Sequence, residues 1–419
     1  MHLTNSNTNE HSIIILASPN TYRSQSYAKA ATRIGINIIW IIDIPEKLAA
    51  EWSISLSVDF SNANTAIKKI LPIAKKHNVI SVLSIDDSAA LIAAKICSIL
   101  GLIHNSPSAS LAARNKYIMR KMLKNSNMLN PNFKVFENSE IPNKIVEKIS
   151  FPCVLKPLLL NGSRGVIRAN NPEEFANAWN RITKILNRSI GTQILVEDYI
   201  PGEEVAVEAL LYNNSLKILA IFDKPDPLDG PFFEETIYVT PSKLSLKHQK
   251  NIEYTLTEST KALGLTTGPI HAEFRINDRG VWPIEVAART IGGLCSNILD
   301  FGSGISLEEL VLSHVTGVSI ESLQLDNRSR GVMMIPIPKQ GLLRKIIGIE
   351  NAEAVEDIES IEITAKLNYP LEPLPEGDGY LGFIFAYGES SVKVEKALRK
   401  AHALLQFEIE PNIVLKQIQ

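Results

Sequence analysis

The sequence predicts a multidomain chain of α/β and α+β character, with an open parallel α/β domain first, a middle of short strands, and a β-rich C-terminal accessory domain. Three observations lead there. The chain has 419 residues, 45% of them apolar, which is more than one ordinary core holds. Its first part alternates apolar runs with segments of helical periodicity, the pattern of parallel strands joined by helices. The later part changes to short apolar runs punctuated by turn residues.

The first unit reads strand, helix, strand through "SIIILA" (12–17), "YRSQSYAKAATRIG" (22–35) and "INIIWIID" (36–43). "VISVLSIDD" (79–87) and "SAALIAAKICSILG" (88–101) repeat it, with Ser88 as a cap and Gly101 as a stop. No glycine stands in "ASPNTYRSQS" where a dinucleotide pyrophosphate would sit, so a nicotinamide enzyme is rejected. Asp86 and Asp87 end a strand, where they either meet a ligand or cap a helix. "RNKYIMRKMLKNSN" (114–127) reads as a helix with basic residues Arg114, Lys116, Arg120, Lys121 and Lys124, for which a solvated face is the plainest account. The expected division is a polar tail over 1–12, the α/β domain over 13–112, a central region over 113–310 and the C-terminal domain over 311–419.

A formal charge of −2 with 21% charged residues leaves no strong electrostatic footprint, which argues against nucleic acid or a membrane as the main partner. Small molecules are the better fit. Three widely spaced cysteines make neither a disulfide framework nor a zinc pattern, and no apolar run reaches the roughly 18 residues of a membrane span. A cytoplasmic location is expected. The oligomeric state stays open, a homodimer among the options.

The stretch "HAEFRINDRGVWPIEVAARTIGG" (271–293) reads as a hairpin. With Asp278-Arg279-Gly280 as a three-residue loop, residues whose numbers sum to 558 face each other, and Glu273 lies opposite Glu285. His271, Arg275, Pro283 and Ala287 share that face. Ala272, Phe274, Ile276, Trp282, Ile284 and Val286 fill the apolar one. Opposed carboxylates destabilise a sheet unless compensated, and oxygen ligands suit Mg²⁺ or Mn²⁺ held with nucleotide phosphates. The alternative is a solvent-exposed face neutralised by Arg275 or Arg289.

Other segments bear on the choice. Lys156 in the apolar strand "CVLKP" needs an anionic partner, for which a phosphate serves. "NGSRGV" (161–166) either closes backbone N–H groups over phosphate oxygens or is a plain turn. "LVEDYIPGEE" (195–204) ends a strand at Glu197 and brings Glu204 seven residues later, for nucleotide contacts or as solvated acids. "DKPDPLDGPFFEET" (223–236), which contains Glu235, lines an acceptor pocket or is a surface loop.

The ordered set Lys116, "VLKP", "GSRGV", "VEDYIPGEE", "HAEF" and "PIEVAAR" resembles the ATP-grasp superfamily, and especially its carboxylate–amine ligases of the L-amino-acid ligase type. The resemblance implies an ATP-grasp fold that uses ATP with Mg²⁺ or Mn²⁺. By it, Lys116 and Lys156 contact the phosphates, Ser163, Arg164 and Gly165 cover them, Glu197 and Ile200 hold adenine, and Glu204 holds ribose. Glu273 and Glu285 carry the metal. Arg289 stabilises the transferring phosphoryl group, Gly292 and Gly293 form a carboxylate pocket, and Glu235 faces the substrates. The superfamily's usual Asn two residues after the second metal glutamate is Ala287 here, which leaves the number of ions open.

The function implied is amide formation between an amino-acid carboxylate and an amine, through an acyl-phosphate with release of ADP and phosphate. A biotin-carboxylase-like enzyme that phosphorylates bicarbonate and a nucleotide-binding protein without ligase activity are the competing functions. The base that deprotonates the amine is not identified; His271 is either that base or a structural residue.

Overall fold

Strand β1 (Ser12–Ala17) is buried at every position because it lies between two parallel neighbours, β2 (Asn37–Ile42) and β3 (Val79–Ser84). Ile14 and Leu16 pack on the helices Ala63–Lys76 and Ala90–Leu100. Ile13 and Ile15 pack on the helix Ser24–Ile34, so a sheet covered on both faces accounts for the unbroken apolar run. The computed structural model describes residues 12–411 apart from 20, 52–55, 127, 190, 303 and 319–323. The tail expected over 1–12 lies outside the described residues except for Ser12, which opens β1.

Gly101 ends its helix as expected, in the left-handed conformation with φ 67°. Ser88 does not cap it. Asp87–Ala89 form a 3₁₀ turn ahead of the helix, and the buried Ser88 hydroxyl has no hydrogen-bond partner. The helix expected over 114–127 is broken at Asn115, whose extended backbone separates the helices Pro107–Arg114 and Lys116–Lys124. The Asn115 side chain accepts from the Tyr117 and Ile118 amides, so Lys116 begins a fresh, capped helix. The solvated basic face is corrected too: Arg120 is completely buried and Lys116 nearly so.

The next part is a four-stranded antiparallel sheet of β4 (Phe133–Glu137), β5 (Cys153–Pro157), β6 (Ile167–Ala169) and β7 (Gln193–Asp198), in the order β4-β7-β5-β6. The helix Pro172–Leu186 covers it with stacked Phe175 and Trp179.

The largest sheet has eight strands. In chain order they are β8 (Glu203–Tyr212), β9 (Ser215–Asp223), β10 (Ile237–Thr240), β11 (Gly268–Asn277), β12 (Gly280–Ala287) and β13 (Ser329–Ile335); then, after β14 (Gly341–Ile347), come β15 (Ile358–Ile363) and, after β16 (Pro370–Leu371), β17 (Gly382–Gly388). β14 and β16 form a small separate sheet with β18 (Gln406–Glu410). The large sheet runs in the order β12-β11-β8-β9-β10-β13-β17-β15, so strands from both sides of residue 310 share one ladder, joined where β10 meets β13. The helix Leu307–Val315 buries Val311 and Leu312 against the N-terminal unit.

Among the described residues no helix is long and apolar enough to cross a membrane, and Cys97, Cys153 and Cys295 are buried free thiols.

Gly202 makes the turn from β7 into β8 at φ 130°, where a Cβ would stand 2.1 Å from the Ile276 carbonyl oxygen. Gly202→Ala is expected to cost at least ~1–3 kcal/mol through backbone strain and displacement of β11, read as a lower urea midpoint. An unchanged midpoint would count against this turn geometry.

Candidate active site

The β11–β12 hairpin departs from the expected loop. Asn277 pairs with Gly280, so the turn is the two-residue Asp278-Arg279. A β-bulge then shifts the register by one between Glu273 and Phe274, which restores the sum of 558 for His271 with Ala287, Ala272 with Val286, and Glu273 with Glu285. The two glutamates are therefore direct neighbours, for a different reason than loop length. Between the turn and the bulge the register is one residue off the expected one, which takes Trp282 out of the apolar face, and Ile284 is the unpaired bulge residue. Trp282 lies opposite Arg275 and donates its indole N–H to Asn277, while Ile284 lines a cleft.

The bulge carbonyls of Pro283 and Ile284 accept from the Arg120 guanidinium at 2.7 and 3.0 Å. The same guanidinium donates to Glu197 at 2.8 Å through Nε, and Lys156 contacts the other Glu197 oxygen. Burial raises the Glu197 carboxyl, but Arg120 and Lys156 outweigh it and hold the group down at about 2. Burial depresses Lys156 below its ordinary value despite Glu197. The anionic partner expected for Lys156 is thus already present within the chain, one strand away.

A second cluster surrounds Lys224, just past β9. Its ammonium lies 2.9 Å from Glu204 and 3.5 Å from Glu273, and it contacts Glu235. Burial raises the Glu235 carboxyl. Burial also opposes ionisation of Glu273, yet Lys224 and His271 hold it well below the usual range. His271 gives Nδ1 to the fully buried Glu208 at 2.5 Å and sets Nε2 3.6 Å from Glu273. Glu285 faces Lys116 at 3.6 Å, and Arg289 pairs with Asp87 at 2.7 Å.

These groups converge on one cleft of about 520 Å³, lined by strands of the four- and eight-stranded sheets and by the segments that follow β1 and β3. Residues 149–298 match the ATP-grasp domain family, and residues 333–410 match L-amino acid ligase C-terminal domain 2. The chain carries an ATP-grasp domain followed by an L-amino acid ligase C-terminal domain.

Its fold is that of an L-amino acid ligase from Bacillus licheniformis, with a TM-score of 0.79 at 24% identity over 96% of this chain and 99% of the other. In sequence it is 22% identical to a Sinorhizobium fredii protein, y4rH, over 95% of this chain and 83% of that protein. It is 26% identical to the alanine–anticapsin ligase of Bacillus subtilis over 48% of this chain, a stretch that spans 46% of that ligase's length.

In this ATP-grasp chain the cleft collects Lys116, Lys156, Ser163, Glu197, Ile200, Glu204, Glu235, Glu273, Glu285, Arg289, Gly292 and Gly293. Arg164 and Gly165 do not line it. The Gly165 amide donates to the Pro375 carbonyl at 2.9 Å and Arg164 Nε to the Glu376 carbonyl at 2.7 Å, so these donors serve a contact with the C-terminal segment. Arg181 reinforces that contact through both Glu376 oxygens. The two Glu204 oxygens are already engaged, one by Lys224 and the other by Arg275 at 2.8 Å. The Ile200 carbonyl also accepts from Arg275.

The solvent-exposed alternative for the hairpin is corrected: Glu273 and Glu285 side chains are only 19% and 23% exposed, and Arg275 and Arg289 are spent on Glu204 and Asp87. Asp86 and Asp87 are not helix caps; Asp86 accepts from Ser18 and Thr21, and Asp87 from Arg289.

Sequence reasoning overlooked Arg120, Lys224 and Glu208. Arg120 follows Lys116 by one helical turn, which aims both at one side. Lys224 directly follows the apolar strand β9, much as Lys156 stands near the end of β5, so the same argument about a buried ammonium applies to it. Glu208 had a comparable signal, a lone acid within "VAVEALLY".

Proposed function

We propose that this ADP-forming carbon–nitrogen ligase joins the carboxylate of one amino acid to the amine of a second, through an acyl-phosphate. The observation that carries the reading is the direct opposition of Glu273 and Glu285 in a cleft shared with Lys116 and Lys156. Opposed oxygen donors beside two lysines fit a hard divalent ion with a nucleoside triphosphate. Bound there, MgATP supplies the transferable phosphoryl group that turns a poor leaving oxygen into phosphate.

The chain's own part is to bind, orient and exclude water. Lys116, Lys156 and Ser163 meet phosphate oxygens. Glu197 and the backbone at Ile200 border adenine, and Glu204 keeps acceptor lone pairs for ribose hydroxyls. Glu273 and Glu285 hold Mg²⁺ or Mn²⁺. Arg289, braced by Asp87, stands where charge builds on the transferring group, beside the carboxylate pocket at Gly292 and Gly293. Glu235 borders the amine.

Arg289→Lys keeps a charge but loses the planar fork. A fall in kcat of about 10²–10³-fold in a variant that still unfolds cooperatively is expected, since one preorganised donor to developing charge is removed. An unaltered kcat would release Arg289 from this role.

The deciding experiment is phosphate release across a matrix of amino-acid pairs, with the nucleotide product identified. ADP formation that requires both substrates supports the reading. AMP formation, bicarbonate-dependent turnover with biotin, or ATP binding without turnover for any pair would overturn it.

A further inference from the structure

Lys224 is not among the residues given a role above, yet it is almost wholly buried amid carboxylates. One oxygen from each of Glu204, Glu235 and Glu273 lies within 4.8 Å of the other two, a spacing able to hold a metal ion. The Lys224 ammonium reaches all three of these acids. The Tyr238 ring lies 5.1 Å from the same nitrogen, an aromatic wall that suits an ammonium better than a strongly hydrated divalent ion.

The charge balance points the same way. Four carboxylates, Glu204, Glu235, Glu273 and the Glu208 that holds His271, meet three cations, Lys224, His271 and the Arg275 that takes the far oxygen of Glu204. Without Lys224, two negative charges would be left over, the charge a divalent ion cancels. Glu273 belongs both to this cluster and to the facing pair with Glu285.

We propose that Lys224 is an internal cation occupying a carboxylate cage that would otherwise take a divalent ion, and that it thereby positions Glu273 toward Glu285. It is a positioning residue, and it confines divalent ions to the Glu273–Glu285 pair. The inference rests on the proposed metal role of that pair, but its test needs no turnover.

Manganese binding is counted by electron paramagnetic resonance on the full chain without nucleotide, and thermal melting is compared in EDTA and in millimolar MnCl₂. Lys224→Met is expected to bind one more Mn²⁺ per chain than the wild type, to melt lower in EDTA, and to recover most of that loss with MnCl₂. Lys224→Arg, which keeps the charge, is expected to retain the wild-type count. A merely structural lysine would give the same melting loss with and without manganese. That result, an unchanged count in Lys224→Met, or an added ion in Lys224→Arg would overturn the proposal.

If Lys224→Met does not fold, wild-type crystals with MnCl₂ and a non-hydrolysable ATP analogue decide the matter. Anomalous density between Glu273 and Glu285 with none among Glu204, Glu235 and Glu273 supports the inference, and density inside the cage overturns it. Absence of ligation by the wild type would sink the ligase reading and leave both results standing.

Discussion

Glu285→Gln is expected to lower kcat for ADP release at least ~100-fold and to raise the Mg²⁺ concentration needed for half-maximal rate by more than ~10-fold. Glutamine keeps the shape of the side chain but removes the charge that faces Glu273 across the hairpin. Because Glu285 is partly exposed and its ion pair with Lys116 is long at 3.6 Å, thermal unfolding should stay close to that of the wild type. Initial rates measured over a range of Mg²⁺ at saturating ATP check this. A variant with wild-type rate and wild-type magnesium dependence would remove the metal from this pair.

The largest stability effect is expected at Arg120. Arg120→Met leaves Glu197 with Lys156 alone, and it leaves the bulge carbonyls of Pro283 and Ile284 without their donor. Breaking a buried pair by removing one partner costs about 3–5 kcal/mol, measurable as a fall in the free energy of urea unfolding.

The pH dependence has a definite sign. The Glu197 carboxyl sits at about 2 in the folded chain against an ordinary 4.5, so its contribution is fully present above 4.5 and drains away as pH falls toward 2. In Arg120→Met the folded value should rise, because the second-largest influence on it, after burial, is gone. The variant should then lose less stability than the wild type between about pH 5 and pH 2. Equal acid losses in the two proteins would show that Arg120 does not hold Glu197 ionised.

Much of the architecture was legible because its signals are local. The apolar runs of β1 to β3, the Gly101 stop and the antiparallel β11–β12 pair follow from periodicity and backbone preference over a few residues. The facing of Glu273 and Glu285 was also legible, although the reasoning used a three-residue loop where the chain has a two-residue turn and a bulge. Two one-residue errors cancelled at Glu273. They did not cancel nearer the turn, so Trp282 and Ile284 were assigned to the wrong face.

What the sequence by itself determined is the order of the elements and the set of residue types that converge on the cleft, since both depend on short-range pattern and motif order. The tertiary structure alone decided which charges are paired. Arg120 with Glu197, Arg289 with Asp87, and Lys224 with Glu204 lie 77, 202 and 20 residues apart. A buried charge requires a counter-charge, but nothing in local sequence says which of many acids will supply it. Only the closing of the four- and eight-stranded sheets and the N-terminal unit around one cleft makes that choice.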